Sequence, residues 1–210
     1  MTFVKICGIT NLDDALHAIE SGADALGFNF YERSPRYIDP KAAREIVDKL
    51  PDGVKLVGVF VNKPPRLVAS IAASVGLDAV QLHGEESNDE VQRLRDATGI
   101  EVIKAFRISP GFDRGSIDAC GADAVLLDGF SPTEHGGTGI VADWSVARSI
   151  VDGGHRVYLA GGLSAENVAD AIAAVRPFAV DACSLLESEK GKKDHDKVRA
   201  FIANARSIYE

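Results

Sequence analysis

The chain has 210 residues, of which 46% are hydrophobic and 26% are charged, a composition typical of a globular protein with room for one sizeable core. Its formal net charge is -8, with acidic and basic residues interspersed, which argues against nucleic acid or an anionic membrane surface as a partner. An anionic ligand would therefore need a local cationic site.

The amino terminus and the cysteines predict the cellular compartment of the protein. Met1–Thr10 is typical of a strand and lacks the basic and apolar stretches of a secretory signal, and no apolar run is long enough to cross a bilayer. Cys7, Cys120 and Cys183 are odd in number and are not spaced as metal ligands or as a redox pair. We therefore expect a reducing cytoplasm and cysteines that act as thiols.

Apolar, β-branched segments alternate with amphipathic ones along the whole chain. The predicted strands are Phe3–Cys7, Gly22–Phe28, Lys55–Val61, Gly76–Leu82, Val102–Phe106, Ala124–Asp128, Val157–Ala160 and Pro177–Asp181. The predicted helices are Leu12–Ser21, Lys41–Leu50, Pro65–Ser74, Asp89–Thr98, a helix that begins near Asp143, Ala165–Val175 and Asp194–Ile208. Asp113–Ala119 has the weakest helical pattern.

Four of these strand segments repeat one pattern, which begins at Gly22, Gly76, Gly121 and, more weakly, Pro177. Eight similar βα units favour a closed parallel barrel over an open sheet, because the edge and centre strands of an open sheet have unlike surroundings. The sequence thus predicts one α/β domain over residues 1–210, a single-domain (βα)8 TIM barrel. In such barrels the site lies at the carboxyl ends of the strands.

Two strand ends carry residues suited to proton transfer. Cys7 shares a strand face with Lys5, whose ammonium is expected to lower the pKa of the thiol; the alternative is a small core residue. Asp128 ends the sixth strand before a long loop that contains Gly136–Gly139, although a strand-end aspartate can also cap a loop. Because the first and sixth strands face each other across a barrel, Cys7 and Asp128 could address one ligand.

Two further strand ends are suited to binding anions. Gly161 and Gly162 follow the seventh strand, where backbone N–H groups of such barrels hold phosphate; the alternative is a tight turn that needs glycine. Arg36 follows Pro35, which stiffens the loop, so its guanidinium could bind a planar carboxylate with two hydrogen bonds. A solvated surface arginine is the alternative interpretation of Arg36.

We find no convincing metal or cofactor signal. Gln81 and His83 end the fourth strand, but a lone histidine is more often structural than catalytic, and no second histidine has metal-ligand spacing. Gly137–Ala142 matches the pattern G-x-G-x-x-A but does not directly follow a strand, so no nicotinamide cofactor is expected. Lys190–Lys197 is interpreted as a solvated loop and the entrance to a helix.

Seven short motifs together resemble the phosphoribosylanthranilate isomerases in type and order. They are Lys5–Thr10, Ser34–Ile38, Gln81–Gly84, Leu127–Asp128, Gly136–Gly139, Asp143–Trp144 and Ala160–Ser164. The resemblance spans nearly the whole chain. It implies a small phosphorylated substrate, an Amadori rearrangement within tryptophan biosynthesis and no cofactor or metal. It leaves a monomer and a homodimer open.

The resemblance also implies a role for each matched residue. Asp128 would act as the general acid on the ribose ring oxygen, and Cys7, as a thiolate activated by Lys5, would remove the C2′ proton. Arg36 would bind the anthranilate carboxylate. The remaining substrate-binding residues would be Lys5, Gln81, His83, Gly139 and the phosphate ligands Gly161, Gly162, Cys183 and Ser184.

The chain departs from the family pattern in two loops. Ile140 and Ala142 stand where the family commonly has lysine and phenylalanine, so we expect the lid to be anchored differently in this chain. In the loop after the eighth strand, Cys183 and Leu185 replace a serine and a glycine. Because leucine tolerates positive φ poorly, we expect this loop to deviate or to bind phosphate less tightly.

Two alternatives remain. An epimerase or an indole-glycerol-phosphate synthase would carry a metal set or a lysine and glutamate set at the strand ends, and Lys104 and Arg107 are the nearest approach to it. A barrel that only binds phosphorylated ligands would explain the altered eighth loop. The presence of both Cys7 and Asp128 argues against a barrel without catalysis.

Overall fold

The predicted barrel is confirmed by the computed structural model, which describes residues 1–108, 111–129 and 143–209. Eight parallel strands pair in chain order, and the last pairs with the first to close the barrel. The strands are β1 Phe3–Cys7, β2 Ala25–Asn29, β3 Lys55–Phe60, β4 Ala79–Leu82, β5 Glu101–Ile108, β6 Ala124–Gly129, β7 Val157–Leu159 and β8 Ala179–Ala182.

A helix follows each barrel strand and covers the outside of the barrel. The helices are α1 Leu12–Glu20, α2 Pro40–Val47, α3 Pro65–Val75, α4 Asn88–Thr98, α5 Gly115–Ala119, α6 Trp144–Asp152, α7 Val168–Val175 and α8 His195–Arg206. The segment with the weakest pattern forms the shortest helix, α5. None of the helices in the described residues is long and apolar enough to span a bilayer.

Side-chain caps explain where most helices begin. Ser87 and Glu90 form a reciprocal capping box at the start of α4, and Asp143 accepts backbone N–H groups at the start of α6. The predicted start of α7 at Ala165 is wrong by one turn, because Asn167 is the residue before the helix. Asn167 bonds the backbone of Ser164 and Gly162 instead, which holds the loop after β7.

The inside of the barrel has an apolar layer and a polar layer. Tyr158 is fully buried among small and branched side chains, which leave room for its ring: Ala25, Val57, Ala79, Ile103, Ala105, Ala124, Leu126, Ala160 and Ala179. Lys5, Gln81 and Asp181 are buried too and are hydrogen-bonded to one another. Charged groups therefore lie inside the barrel only where they have partners.

A hairpin that the sequence did not predict lies between β8 and α8. A 3-10 turn, Ser184–Leu186, leads into the short antiparallel strands β9 Glu187–Glu189 and β10 Lys192–Lys193. The interpretation of this region as a solvated loop is wrong for Lys193, which is 3% exposed and donates to Glu187 and to the carbonyl of Cys183. A buried lysine is tolerated here because both partners accept its protons.

A buried ion pair joins the middle of β5 to the segment that follows β4. The ammonium of Lys104 donates to Glu86 Oε2 at 3.0 Å and to the carbonyl of Gly84 at 2.7 Å. Glu86 also accepts the backbone N–H groups of Asn62 and Gly84. Because neither side chain is more than 8% exposed, loss of one partner would leave the other charge without compensation.

We therefore expect Lys104→Met to lower the free energy of unfolding by about 3–5 kcal/mol, the cost of leaving one buried charge unpaired. Urea unfolding followed by circular dichroism measures this loss. The control is Lys192→Met, in an exposed pair whose removal should change stability by less than about 0.5 kcal/mol. Equal unfolding midpoints for the two variants would contradict a stabilising role for the buried pair.

Candidate active site

A cavity of about 390 Å³ opens at the carboxyl ends of the barrel strands. Nine of the eleven site residues proposed from the sequence line it: Cys7, Arg36, Gln81, His83, Asp128, Gly161, Gly162, Cys183 and Ser184. Lys5 is fully buried and is bonded to Gln81 and Asp181, which also line the cavity. Gly139 lies outside the described residues. The site residues proposed from the sequence thus come from six different βα units.

Lys5 is a fixed buried cation under the site. Its ammonium donates to Asp181 Oδ1 at 2.9 Å and to Gln81 Oε1 at 3.0 Å. Burial disfavours the charge on Lys5, but the carboxylate of Asp181 and the nearby Cys7 outweigh burial and raise its pKa above the ordinary value. The sequence analysis missed Asp181, although it ends β8 as Asp128 ends β6, so the same strand-end rule could have found it.

Hydrogen bonds join Lys5, Gln81 and His83 in a row that leads toward Asp128. Because Lys5 can only donate, the amide oxygen of Gln81 faces it, and the amide nitrogen therefore donates to His83 Nδ1 at 2.9 Å. The neutral ring of His83 then carries its proton on Nε2, which lies 3.4 Å from Asp128 Oδ2. The other carboxyl oxygen of Asp128 accepts the N–H of Gly129 at 2.9 Å. His83 is thus oriented toward the carboxyl group.

Cys7 does not have the low pKa that its position beside Lys5 predicted. A hydrogen bond with Cys183, followed by burial, raises the pKa of the Cys7 thiol well above the ordinary value of 9.0, and the attraction of Lys5 opposes both effects. Lys5 lowers the pKa of Cys7 as expected, but the effects of Cys183 and of burial are larger. Asp181 offsets the charge of Lys5, and Cys183 competes with Cys7 for the negative charge.

Cys183 is the more acidic thiol of the pair. The hydrogen bond from Cys7, helped by the charges of Lys193 and Arg36, lowers the pKa of Cys183 to about 7, against the opposing effects of burial and Glu187. Lys193 Nζ lies 3.8 Å from the sulfur of Cys183, and Glu187 Oε1 lies 3.9 Å from it. A thiolate in the free protein therefore forms more readily on Cys183 than on Cys7.

Arg36 is neither free nor on the surface. Its Nε and Nη2 donate to the two carboxylate oxygens of Glu187, each at 2.8 Å, and its side chain is 13% exposed. The alternative of a solvated surface arginine is thus wrong, because Glu187 accepts two parallel hydrogen bonds from Arg36, and the binding of a ligand carboxylate by Arg36 stays a prediction. No sequence signal identifies Glu187, which lies 151 positions from Arg36.

The glycines after β7 are required by the backbone. Gly161 and Gly162 have φ of 81° and 64°, which supports the tight-turn alternative for both positions. A Cβ on Gly161 would lie 2.3 Å from the backbone nitrogen of Gly129 and 3.1 Å from Asp128 Oδ1. A side chain at Gly161 would therefore displace the carboxyl group of Asp128, so this glycine serves the site as well as the turn.

The substitutions in the eighth loop are compatible with its geometry. Leu185 lies in the 3-10 turn, and among the described non-glycine residues only Asn62 and Arg176 have positive φ. The strain expected from replacing a glycine by Leu185 is thus absent. The Lys104–Glu86 pair is not among the residues that line the cavity, so these two residues do not form the lysine and glutamate set of the alternative barrel enzymes there.

A closed (βα)8 barrel with a thiol pair, a carboxyl group and an arginine around one cavity defines a barrel enzyme equipped for proton transfer. The sequence model of the family described as N-(5'phosphoribosyl)anthranilate (PRA) isomerase matches residues 4–204. The chain therefore belongs to the N-(5′-phosphoribosyl)anthranilate isomerase family, and the enzyme class predicted from its motifs, an isomerase of tryptophan biosynthesis, is confirmed.

Relatives and solved structures agree over nearly the full length. An N-(5'-phosphoribosyl)anthranilate isomerase from Trichlorobacter lovleyi is 48% identical over 206 residues, 98% of each chain. The chain is also similar to a phosphoribosyl anthranilate isomerase solved with reduced 1-(o-carboxyphenylamino)-1-deoxyribulose 5-phosphate, at 46% identity and a TM-score of 0.85 over 98% of this chain and 99% of that one. Monomers generated from the dimeric Thermotoga maritima enzyme give 44% identity and a TM-score of 0.84, with the same coverage.

The low pKa of Cys183 predicts how fast it is alkylated at different pH values. Because the thiolate is the reactive form, its reaction with iodoacetamide should rise as the pH rises and reach half its maximum near pH 7, below the ordinary thiol value of 9.0. Peptide mass spectrometry measures the rate at each pH. A midpoint near the ordinary value would contradict the assignment.

Two lysine variants test the cause of this shift. Lys193→Met removes the ammonium beside the sulfur and should move the midpoint to higher pH, because the thiolate loses a favourable charge. Lys192→Met, at the neighbouring exposed position, should leave the midpoint unchanged. Equal shifts in both variants would mean that the general charge of the hairpin, and not the contact of Lys193, lowers the pKa.

Proposed function

We propose that this chain converts N-(5′-phosphoribosyl)anthranilate to 1-(2-carboxyphenylamino)-1-deoxyribulose 5-phosphate by an Amadori rearrangement, as one catalytic domain over residues 1–210. The observation that carries the proposal is that Cys7, at the end of β1, and Asp128, at the end of β6, border one cavity. A base and an acid on different strands can act on two atoms of one sugar. Membership of the isomerase family supports the choice of substrate.

Asp128 is the proposed general acid. It donates a proton to the ribose ring oxygen, the C1′–O bond breaks, and the opened sugar becomes a Schiff base with the anthranilate nitrogen. Since Oδ1 of Asp128 accepts the N–H of Gly129, we assign the transferred proton to Oδ2, on the side of His83. The row of hydrogen bonds through Gln81 holds His83 in place and so supports this orientation.

Cys7 is the proposed general base. As a thiolate it removes the C2′ proton of the Schiff base, which gives an enolamine that tautomerises to the ketone. Cys7 first passes its own proton to Cys183 along the hydrogen bond that joins them, and Lys5 then stabilises the new thiolate. A phosphate group bound near Cys183 would repel negative charge on that sulfur and would favour this transfer.

The remaining site residues are proposed to bind the substrate. Gly161, Gly162, Cys183 and Ser184 surround the part of the cavity that would take the phosphate, through backbone N–H groups. Arg36 is proposed to bind the anthranilate carboxylate while it keeps part of its contact with Glu187. Gly139 is proposed to contact the substrate from the loop after β6.

We further propose a cytoplasmic enzyme that needs no metal or cofactor and acts as a monomer or a homodimer. Three free cysteines support a reducing compartment. The net charge of -8 makes nucleic acid an unfavourable partner. The dimeric relative from Thermotoga maritima supports the homodimer.

The central test follows the loss of anthranilate fluorescence when the purified protein is mixed with phosphoribosylanthranilate without added metal. We expect turnover in the wild type and a loss of about a hundredfold or more in kcat for Cys7→Ala and for Asp128→Asn, the contribution of general acid–base catalysis. Cys120→Ser, at a buried position outside the cavity, should keep wild-type turnover. A flat trace from folded wild-type protein would instead support a barrel that only binds its ligand.

The role of Arg36 is tested with a substrate analogue that lacks the carboxylate, N-(5-phosphoribosyl)aniline. We expect Arg36→Met to lower kcat/KM for the natural substrate by about 10–100-fold, because charge-assisted hydrogen bonds to the carboxylate are lost. The value of kcat/KM for the analogue, which has no carboxylate, should be nearly unchanged. Steady-state kinetics on both substrates measure the difference. Equal losses would mean that Arg36 acts only by holding Glu187.

A further inference from the structure

Cys7 and Cys183 are close enough to be joined. Strands β1 and β8 pair in parallel with Ile6 opposite Ala182; Cys7 is the next residue of β1, and Cys183 follows directly after the end of β8. Paired strands lie about 4.8 Å apart, within the range of about 4.4–6.8 Å between the Cα atoms that a disulfide joins. A Cβ on Gly8, the residue after Cys7, would lie 2.7 Å from the sulfur of Cys183, so this sulfur lies against the end of β1.

Cys183 also has the surroundings of a reactive thiol. It is partly exposed and lines the cavity, so small molecules that enter the site can reach it. The hydrogen bond from Cys7 and the cationic groups of Lys193 and Arg36 lower the pKa of Cys183 to about 7, against the opposing effects of burial and of the Glu187 carboxylate. A thiolate that is accessible and has a second thiol beside it is the arrangement that hydroperoxides oxidise selectively.

We propose that Cys183 and Cys7 form an oxidation site for hydroperoxides, in which Cys183 is attacked first and Cys7 resolves the product. The thiolate of Cys183 attacks the peroxide, the O–O bond breaks, and Cys183 becomes a sulfenic acid as the peroxide is reduced to hydroxide, or to an alkoxide for an organic peroxide. The thiol of Cys7 then attacks this sulfur. A disulfide forms, and the sulfenic oxygen leaves as water with the proton of Cys7.

The disulfide would switch the enzyme off. Cys7 would no longer have a sulfur able to accept a proton from the substrate, and reduction by a dithiol would restore it. This consequence depends on the proposed role of Cys7 as the general base. The formation of the disulfide does not depend on that role, so the two ideas can fail separately.

The experiment treats the reduced wild-type protein with hydrogen peroxide and follows both mass and activity. We expect the intact mass to fall by two hydrogen atoms, a peptide pair that links Cys7 to Cys183, and a parallel loss of activity that dithiothreitol reverses. Cys120→Ser should behave as the wild type, because this buried cysteine lies outside the cavity. The wild-type mapping needs no variant, so it stands even if a substituted protein folds poorly.

Two variants separate the steps. Cys7→Ser lacks the resolving thiol and should accumulate a sulfenic acid on Cys183 that dimedone traps. In Cys183→Ser, the activity that remains before treatment should be lost at least about tenfold more slowly than in the wild type, because Cys7 is a weaker acid than Cys183.

The outcomes discriminate clearly. Oxygen adducts without a linked peptide pair, a disulfide that includes Cys120, or dimedone labelling of Cys7 in place of Cys183 would each overturn the oxidation site. A Cys7–Cys183 disulfide in a fully active protein would leave the oxidation site intact and would instead refute Cys7 as the general base.

Discussion

The buried ammonium of Lys5 is the constraint on which the site depends. A charge enclosed by barrel strands has no water to solvate it, so it needs an anion, and Asp181 at 2.9 Å supplies one. Because an ammonium has no acceptor, it also orients the amide of Gln81, and this amide in turn decides which nitrogen of His83 carries the proton. One buried charge thus organises a row of side chains across the barrel mouth.

Charge balance around the two sulfurs favours one negative charge on the thiol pair. Three cations and two carboxylates surround them: Lys5, Arg36 and Lys193 against Asp181 and Glu187. One negative charge remains to be supplied, and two adjacent thiols that share a proton supply it. Because Lys193 Nζ lies 3.8 Å from its sulfur, Cys183 is favoured over Cys7 as the site of this charge.

Regular alternation made the barrel predictable. The direction of the side chains repeats every two residues along a strand and about every 3.6 residues along a helix. The pattern of apolar residues therefore identified all eight strands. It also placed Cys7, Gln81, Asp128 and Gly161 at strand ends. Closure then follows, because equivalent units leave no edge strand. The start of α7 and the hairpin of β9 and β10 escaped prediction, since their geometry depends on contacts of Asn167 and Lys193 rather than on periodicity.

The local sequence was sufficient to predict which residues lie at the mouth of the barrel, because side chains alternate between the two faces along a strand. It was not sufficient for their charge states. The partner of Arg36 is 151 positions away, and the pKa values of Cys7 and Cys183 depend on each other across the seam where β8 closes on β1. Electrostatic interaction depends on distance in space, so only the closed barrel decides which sulfur carries the charge.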